Sequence, residues 1–184
     1  MNKKTLPIIA ILLIIVAFLA GLKLTQKKLP AGGGVSPTPS AGGVQPTEAP
    51  KYPTTFGNFS ITNQEICKEN AKPVIYYFGS TSCPHCSWEE PIVKKVAEKF
   101  SGLISFHNNM DKQTDMEVFQ KYADINPGYI PFLVFGCKYA RLGSGETDGE
   151  AKEVENLSII LCKLTDGKPV SVCEPLKGKA AEVK

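Results

Sequence analysis

The chain has 184 residues, of which 42% are hydrophobic and 21% charged, and its formal net charge is +3. This length accommodates one domain of ordinary size with appendages. Because the charge balance is mild and the lysines are scattered rather than clustered, neither a nucleic acid nor a strongly acidic substrate is expected as a partner.

The first 29 residues are predicted to be a membrane anchor. The stretch from Thr5 to Leu22 contains no charged residue and has lysines on both sides. At a rise of about 1.5 Å per residue it is slightly shorter than the roughly 30 Å hydrocarbon core of a bilayer, which flanking lysines can accommodate. Signal-peptide cleavage needs small residues at positions −3 and −1, and cuts near Ala20 place Phe18 or Leu19 at −3. An uncleaved anchor is therefore favoured over a cleaved signal peptide.

Residues 30–55 are predicted to be a tether. They are rich in glycine and proline and have almost no large apolar side chain, so they cannot bury a core. As a coil, the segment reaches about 30 Å from the membrane. The globular domain, with its cysteine-containing tail, is assigned to residues 56–184.

The six cysteines of the chain all lie in this domain. An even number in so short a chain is typical of an oxidising compartment, in which disulfides persist. The alternative is a set of unpaired thiols packed as small hydrophobic side chains. Positive charge is about equal on both sides of the anchor, so the cysteines decide the orientation and the domain is expected outside the cytoplasm.

The first predicted elements of the domain surround a Cys-x-x-Cys motif. A short helix is predicted from Asn63 to Asn70. The run Val74 to Phe78 is β-branched or aromatic and predicts a buried strand. A proline directly after the first cysteine of the motif can start a helix, and Trp88 to Phe100 then carries apolar residues at repeated spacings of four.

The later elements alternate between strands and amphipathic helices. The predicted elements are a strand at Leu103–Phe106, a helix at Thr114–Ala123, a strand at Tyr129–Phe135, a strand at Lys138–Leu142 and a closing helix at Asp148–Leu164. The last two strands form a hairpin through Gly136 and Cys137. A proline at the entry of the third strand is tolerated, because its missing N–H is not needed there.

This order of elements resembles the thioredoxin fold, a central mixed sheet flanked by helices, over about residues 60–164. Three features carry the resemblance. The sequence Cys83-Pro84-His85-Cys86 stands at the mouth of a helix that follows a buried strand. Pro91 lies where thioredoxins have the proline that kinks this helix. Ile130-Pro131 matches the cis-proline turn of the family.

The dipeptide between the two cysteines is similar to that of the DsbA-type disulfide oxidases, but the large helical insertion of that family is absent. Thioredoxins and DsbA-type proteins carry a buried carboxylate six residues before the first active-site cysteine, where this chain has Tyr77. Proton transfer to and from Cys86 is therefore expected to use water, Tyr77, or the neighbouring Glu89 or Glu90.

The resemblance implies a protein-disulfide oxidoreductase that needs no cofactor and acts on the thiols of exported proteins. A membrane redox partner, which the sequence does not identify, would recycle it. Cys83 is the expected nucleophile, since a helix N-terminus favours the thiolate. Cys86 is the resolving thiol, Pro84 starts the helix, and His85 is expected to stabilise the Cys83 thiolate.

The resemblance also implies a substrate-binding segment. Pro131 is expected to be cis and to lie beside the cysteine pair, so that the backbone of Ile130 holds the substrate as an extended strand. The alternative is a trans proline at the start of a strand, since few X–Pro bonds are cis.

Two other functions remain open. A reductase would use the same motif in the opposite direction. A metal chaperone would bind copper or zinc through Cys83, His85 and Cys86. The chain has neither a second Cys-x-x-Cys motif nor a histidine pair to complete a zinc site, so no resident metal is expected. An inert structural disulfide at the motif is a weaker third alternative.

The remaining cysteines are Cys67, Cys137, Cys162 and Cys173. In the thioredoxin fold the strand after Ile130 runs antiparallel to the Val74 strand, so Cys137 is expected near Cys67. Cys162 points away from the apolar seam of the closing helix, and the tail can bring Cys173 back to it. The predicted disulfides are Cys67–Cys137 and Cys162–Cys173, both far from Cys83.

Overall fold

The computed structural model describes residues 51–184. The predicted anchor, and the predicted tether as far as residue 50, lie outside these residues. Within residues 51–184 no helix is both long enough and apolar enough to cross a bilayer.

The described part of the chain contains a six-stranded mixed sheet. Its strands are β1 (Ser60–Ile61), β2 (Lys68–Glu69), β3 (Lys72–Gly79), β4 (Ser105–Met110), β5 (Phe132–Phe135) and β6 (Tyr139–Leu142). The order is β1-β6-β5-β3-β2, and β4 also pairs with β3. The β3–β4 pair is parallel, and the other pairs are antiparallel.

Helices flank this sheet. They are α1 (Pro84–Lys99), α2 (Met116–Lys121), α3 (Glu150–Leu164), α4 (Val170–Cys173) and α5 (Lys177–Glu182), together with 3-10 turns at Phe56–Asn58, Glu146–Asp148 and Glu174–Leu176. The predicted α/β class, a mixed sheet flanked by helices, is confirmed.

Two hydrophobic cores lie on either side of the central strands. Ile75 and Tyr77 of β3 belong to a core with the buried residues of α1 and α3. Phe78, which points the other way, belongs to a second core with Phe132 and the α2 residue Phe119. Side chains of a strand alternate between the two faces of a sheet. Because β3 is buried on both faces, its central residues form a continuous apolar run instead of alternating with polar ones.

The helix predicted at 63–70 is wrong. Lys68 and Glu69 instead form β2, which pairs with the start of β3. Asn70 and Ala71 both have positive φ, at 49° and 64°, and form the connecting turn. Two consecutive residues of positive φ match the right-handed twist of a two-residue hairpin. The polar sequence of this segment does not reveal that pairing.

Other predicted elements are present with shifted ends. β4 begins at Ser105 and continues to Met110, through polar residues that the prediction left outside the strand. Its six residues pair in parallel with β3, so backbone pairing rather than an apolar pattern defines this strand. The hairpin through Gly136 and Cys137 is confirmed by the β5–β6 pairing, and β5 begins only after Pro131.

Both predicted disulfides are present. Cys67 and Cys137 are joined with a Cα–Cα distance of 5.4 Å, and Cys162 and Cys173 with 5.5 Å. The antiparallel β3–β5 register places Cys137 near the start of β3, whereas Cys83 follows the end of that strand. The second disulfide holds the tail, in which α4 and α5 pack against α3.

Candidate functional site

Cys83 and Cys86 are the unbonded cysteines of the domain. Cys83 is the N-cap of α1, with an extended backbone and Pro84 as the first helical residue. Its Sγ accepts a hydrogen bond from the backbone N–H of Cys86 at 3.3 Å. A sulfur that caps a helix receives one of the N–H groups left unpaired at the helix start, and this favours negative charge on it.

The two thiols have different environments. Cys83 is half-buried, whereas Cys86 is completely buried. Burial, with a smaller contribution from the hydrogen bond to Cys83, raises the pKa of Cys86 to about 11. Cys83, the predicted nucleophile, is therefore the accessible thiol, and Cys86, its predicted resolving partner, is the covered one.

The side chain of Tyr77, on β3, contacts the backbone of Cys86. It is fully buried, and its hydroxyl donates a hydrogen bond to the carbonyl oxygen of Cys86 at 2.9 Å. Burial raises the pKa of this phenol well above its usual value. Gly79 provides the necessary space, because a Cβ there would lie 3.0 Å from the Tyr77 hydroxyl oxygen.

Of the two nearby glutamates, Glu89 belongs to a buried ion cluster. Arg141 Nη2 donates to Glu89 Oε1 at 2.6 Å and to Glu153 Oε1 at 2.7 Å. Both carboxylates are fully buried. Burial, together with the nearby Glu153 carboxylate, raises the pKa of Glu89 to about 8 despite the Arg141 charge. One guanidinium cannot neutralise two ionised carboxylates, so one of them keeps its proton at neutral pH.

Glu90 has a different environment. Its side chain is one-fifth exposed, and it accepts a hydrogen bond from Asn108 Nδ2 at 2.7 Å. An ion pair of 3.6 Å to Lys94, one turn further along α1, is also present. Glu90 is therefore held at the surface of the helix, outside the buried cluster.

His85 lies in the first turn of α1 with 69% of its side chain exposed. Its Nδ1 is 2.7 Å from Glu146 Oε2, in the 3-10 turn that precedes α3. Among residues 51–184, Glu146 is the charged side chain found in contact with this imidazole.

The peptide bond between Ile130 and Pro131 is cis, as predicted. The carbonyl oxygen of Ile130 lies 3.8 Å from Cys83 Sγ, although the two residues are 47 positions apart. The structure thus brings the predicted substrate-binding segment to the predicted nucleophile. Ile130 and its neighbour Tyr129 are exposed apolar residues.

A cavity of about 390 Å³ opens beside Ile130. Phe78, Met116 and Phe119 form apolar parts of its lining, and Asp111 and Lys112 are among its polar residues. The cavity is thus adjacent to the segment that the sequence predicts to bind substrate.

Three residues of this region were not predicted from the sequence: Arg141, Glu146 and Glu153. Arg141 is the only arginine among the chain's basic residues, and it interrupts a predicted strand. A single arginine among lysines is a signal for bidentate carboxylate pairing, which Arg performs better than Lys. Glu146 and Glu153 carry no comparable signal.

No protein-family model matches the chain, and no curated protein matches it significantly. The geometry around Cys83 is therefore the basis for a functional assignment.

Proposed function

We propose that this chain is a membrane-tethered thiol:disulfide oxidoreductase of the thioredoxin type, which oxidises thiols of exported proteins. The observation that carries the proposal is the Cys83 thiol. It caps a helix, is partly exposed, and faces the Ile130 carbonyl beside a cis proline. A cysteine with a purely structural role would need neither an accessible position at a helix N-terminus nor the carbonyl group of an exposed residue such as Ile130 beside its sulfur.

The reaction begins with Cys83 and Cys86 joined in a disulfide. A substrate thiolate attacks Cys83 Sγ, forming a mixed disulfide, and the Cys83–Cys86 bond breaks with its electron pair leaving on Cys86. A second substrate thiolate attacks the substrate sulfur of the mixed disulfide and releases Cys83 as a thiolate. The substrate gains a disulfide, and the enzyme gains two electrons and is left as a dithiol.

The proton of Cys86 must come from its surroundings. Tyr77 keeps its proton at neutral pH, since burial raises its pKa. Its hydroxyl therefore acts as a hydrogen-bond donor and cannot serve as a base. In this proposal Tyr77 holds the first turn of α1 through the Cys86 carbonyl oxygen, and water supplies the proton.

The order of elements supports a thioredoxin-type domain. Between β4 and β5 there is one short helix, α2, so the part of the chain in which DsbA-type proteins carry an insertion is brief. We propose that the enzyme oxidises rather than reduces its substrates, because the Pro84-His85 dipeptide is similar to that of the DsbA-type disulfide oxidases.

The proposed location is the cell membrane, with the domain outside the cytoplasm. The charge-free stretch from Thr5 to Leu22 supports the anchor, and the two disulfides support an oxidising compartment. If this is correct, full-length protein partitions with membranes and retains Met1. A soluble product whose N-terminus begins within residues 30–55 contradicts the anchor.

The test of the activity uses full-length protein with two matched variants. Cys86→Ser should trap a mixed disulfide with a reduced protein or peptide in the presence of an oxidant, whereas Cys83→Ser should trap none. Equal trapping by both variants, or trapping by neither, overturns the proposal.

The direction is tested by the glutathione equilibrium of the wild type. A reduction potential near −120 mV, roughly that of DsbA, supports an oxidase, whereas one near −270 mV, roughly that of thioredoxin, supports a reductase. Stoichiometric copper or zinc binding by reduced protein that shows no thiol exchange would instead favour the metal chaperone.

A further inference from the structure

The His85–Glu146 pair has a defined hydrogen-bond polarity. An ionised carboxylate can only accept, so the hydrogen between Nδ1 and Glu146 Oε2 belongs to the imidazole. In the neutral ring this assigns the lone pair to Nε2. Glu146 thus selects the tautomer in which the nitrogen turned away from it can take up a proton.

The position of Glu146 is determined by the buried ion cluster. The backbone N–H of the preceding residue, Gly145, donates to Glu89 Oε2 at 3.0 Å. A Cβ at Gly145 would overlap the Glu153 carboxylate, although its φ of −83° suits any residue. Gly145 is therefore glycine because of this close approach.

Arg141 holds Glu89 of α1 and Glu153 of α3 at 2.6 and 2.7 Å. These contacts connect α1, strand β6 and α3. The backbone at Gly145 is attached to the same cluster through its hydrogen bond to Glu89. The turn that carries Glu146 is consequently fixed relative to the helix that carries His85.

We propose that Glu146 is a positioning residue that orients His85 so that its Nε2 acts as a general base toward the thiol of the incoming substrate. This inference rests on the proposed oxidoreductase function. It adds a second role for His85, which the sequence predicted to stabilise the Cys83 thiolate.

In this proposal, proton transfer to His85 precedes the attack on the Cys83–Cys86 disulfide. The substrate thiol transfers its proton to His85 Nε2, and the resulting thiolate attacks Cys83 Sγ. The new S–S bond forms as the bond to Cys86 breaks, and Cys86 departs with the electron pair. The imidazolium is held by Glu146 until water removes its proton.

The experiment measures the pH profile of the rate at which glutathione reduces the oxidised full-length protein. A thiol with a pKa near 8.5 is about 1% thiolate at pH 6.5, so a base can accelerate attack by up to about 100-fold there and hardly at all at pH 9. The ratio of wild-type to Glu146→Gln rates should be about ten at pH 6.5 and about one at pH 9.

Two further variants separate positioning from a general structural effect. His85→Ala should show the same pH-dependent loss, and the double variant should lose no more than His85→Ala alone. Glu150→Gln is the matched control, because Glu150, four residues after Glu146, forms an exposed pair between the start of α3 and Lys95 of α1, with Oε1 2.9 Å from Nζ. Its profile should follow the wild type.

The possible outcomes are distinct. A Glu146→Gln rate that is lowered equally at every pH, or that equals the wild type throughout, overturns the positioning role. A wild type that does not exchange with glutathione at any pH overturns the proposed function itself. Additive losses in the double variant would also contradict the inference, because the two residues would then act independently.

Discussion

Glu89→Gln removes a titratable proton from the buried ion cluster while conserving the shape of the side chain. Arg141 donates to Glu89 Oε1 and the Gly145 N–H donates to Glu89 Oε2, so the single amide oxygen of glutamine keeps one of these two hydrogen bonds. The loss of the other hydrogen bond does not depend on pH, so the change of the stability difference with pH isolates the cost of ionising a carboxyl group that burial and a neighbouring carboxylate keep protonated.

The expected difference in the free energy of unfolding follows from the pKa of Glu89 in the folded protein. Glu89 ionises at about 8 in the folded protein, compared with an ordinary value of 4.5. At about 1.36 kcal/mol per pH unit, this difference corresponds to a ceiling of about 5 kcal/mol. Between these two values the folded state binds a proton that the unfolded state has lost. The contribution of Glu89 to the free energy of unfolding therefore falls as pH rises from 4.5 to 8, and its full cost is present above pH 8.

The assay is equilibrium denaturation of the oxidised protein at pH 5, 7 and 9. At pH 5 the variant should be less stable than the wild type by no more than the one lost hydrogen bond, about 1 kcal/mol. At pH 9 the variant should be more stable by a few kcal/mol, up to the ceiling of about 5 kcal/mol. Glu90→Gln is the matched control, since this neighbouring carboxylate of α1 lies outside the cluster and should keep the wild-type pH dependence.

Parallel curves for the wild type and Glu89→Gln would refute the reasoning, because they would mean that Glu89 ionises equally easily in the folded and unfolded states. A variant that is much less stable at pH 5 would also refute it. That result would show that the carboxyl group stabilises the cluster as a charged partner of Arg141.

Three further predictions concern other parts of the domain. Iodoacetamide at pH 7 should alkylate Cys83 of the reduced protein and spare Cys86, whose pKa of about 11 and burial keep it an inaccessible thiol; equal labelling in mass spectra would contradict this. His107 has two carboxylate partners, with Nδ1 2.9 Å from Asp115 Oδ2 and Nε2 3.1 Å from Glu69 Oε2. Burial lowers the pKa of His107, but these two carboxylates outweigh that effect and raise it. Their contribution to stability is complete below pH 6.5 and is lost as pH rises through the folded value, so His107→Gln should cost more stability at pH 5.5 than at pH 8.5, and an equal cost would refute the two ion pairs. Replacing Cys162 and Cys173 by serine opens a loop with a sequence separation of 11 and should cost up to about 3 kcal/mol in thermal denaturation. An unchanged midpoint would show that the tail is held by packing alone.

Features encoded by neighbouring residues could be predicted from the sequence. The apolar run at Val74–Phe78 predicts β3, and the repeat from Trp88 to Phe100 predicts α1, because burial on a strand or helix imposes a period that local residues display. The cis bond at Pro131 and the Cys67–Cys137 disulfide followed from the resemblance, since the fold fixes where the ends of its strands lie, whereas the Cys162–Cys173 disulfide followed from the side of the closing helix on which Cys162 lies.

Contacts between distant elements were decided by the tertiary structure. Arg141 meets Glu89 and Glu153 across sequence separations of 52 and 12 residues, and His85 meets Glu146 across 61. β2 was mistaken for a helix because its pairing with β3 depends on a turn at Asn70 and Ala71 rather than on an apolar pattern.

Periodicity reports which face of an element is buried, but not which residue of another element lies against it. That choice depends on the register of β5 and β6 and on the packing of α1 and α3. The sequence by itself therefore determined the Cys83–Cys86 motif and the helix that follows it, whereas only the tertiary structure decided which charged side chains surround them.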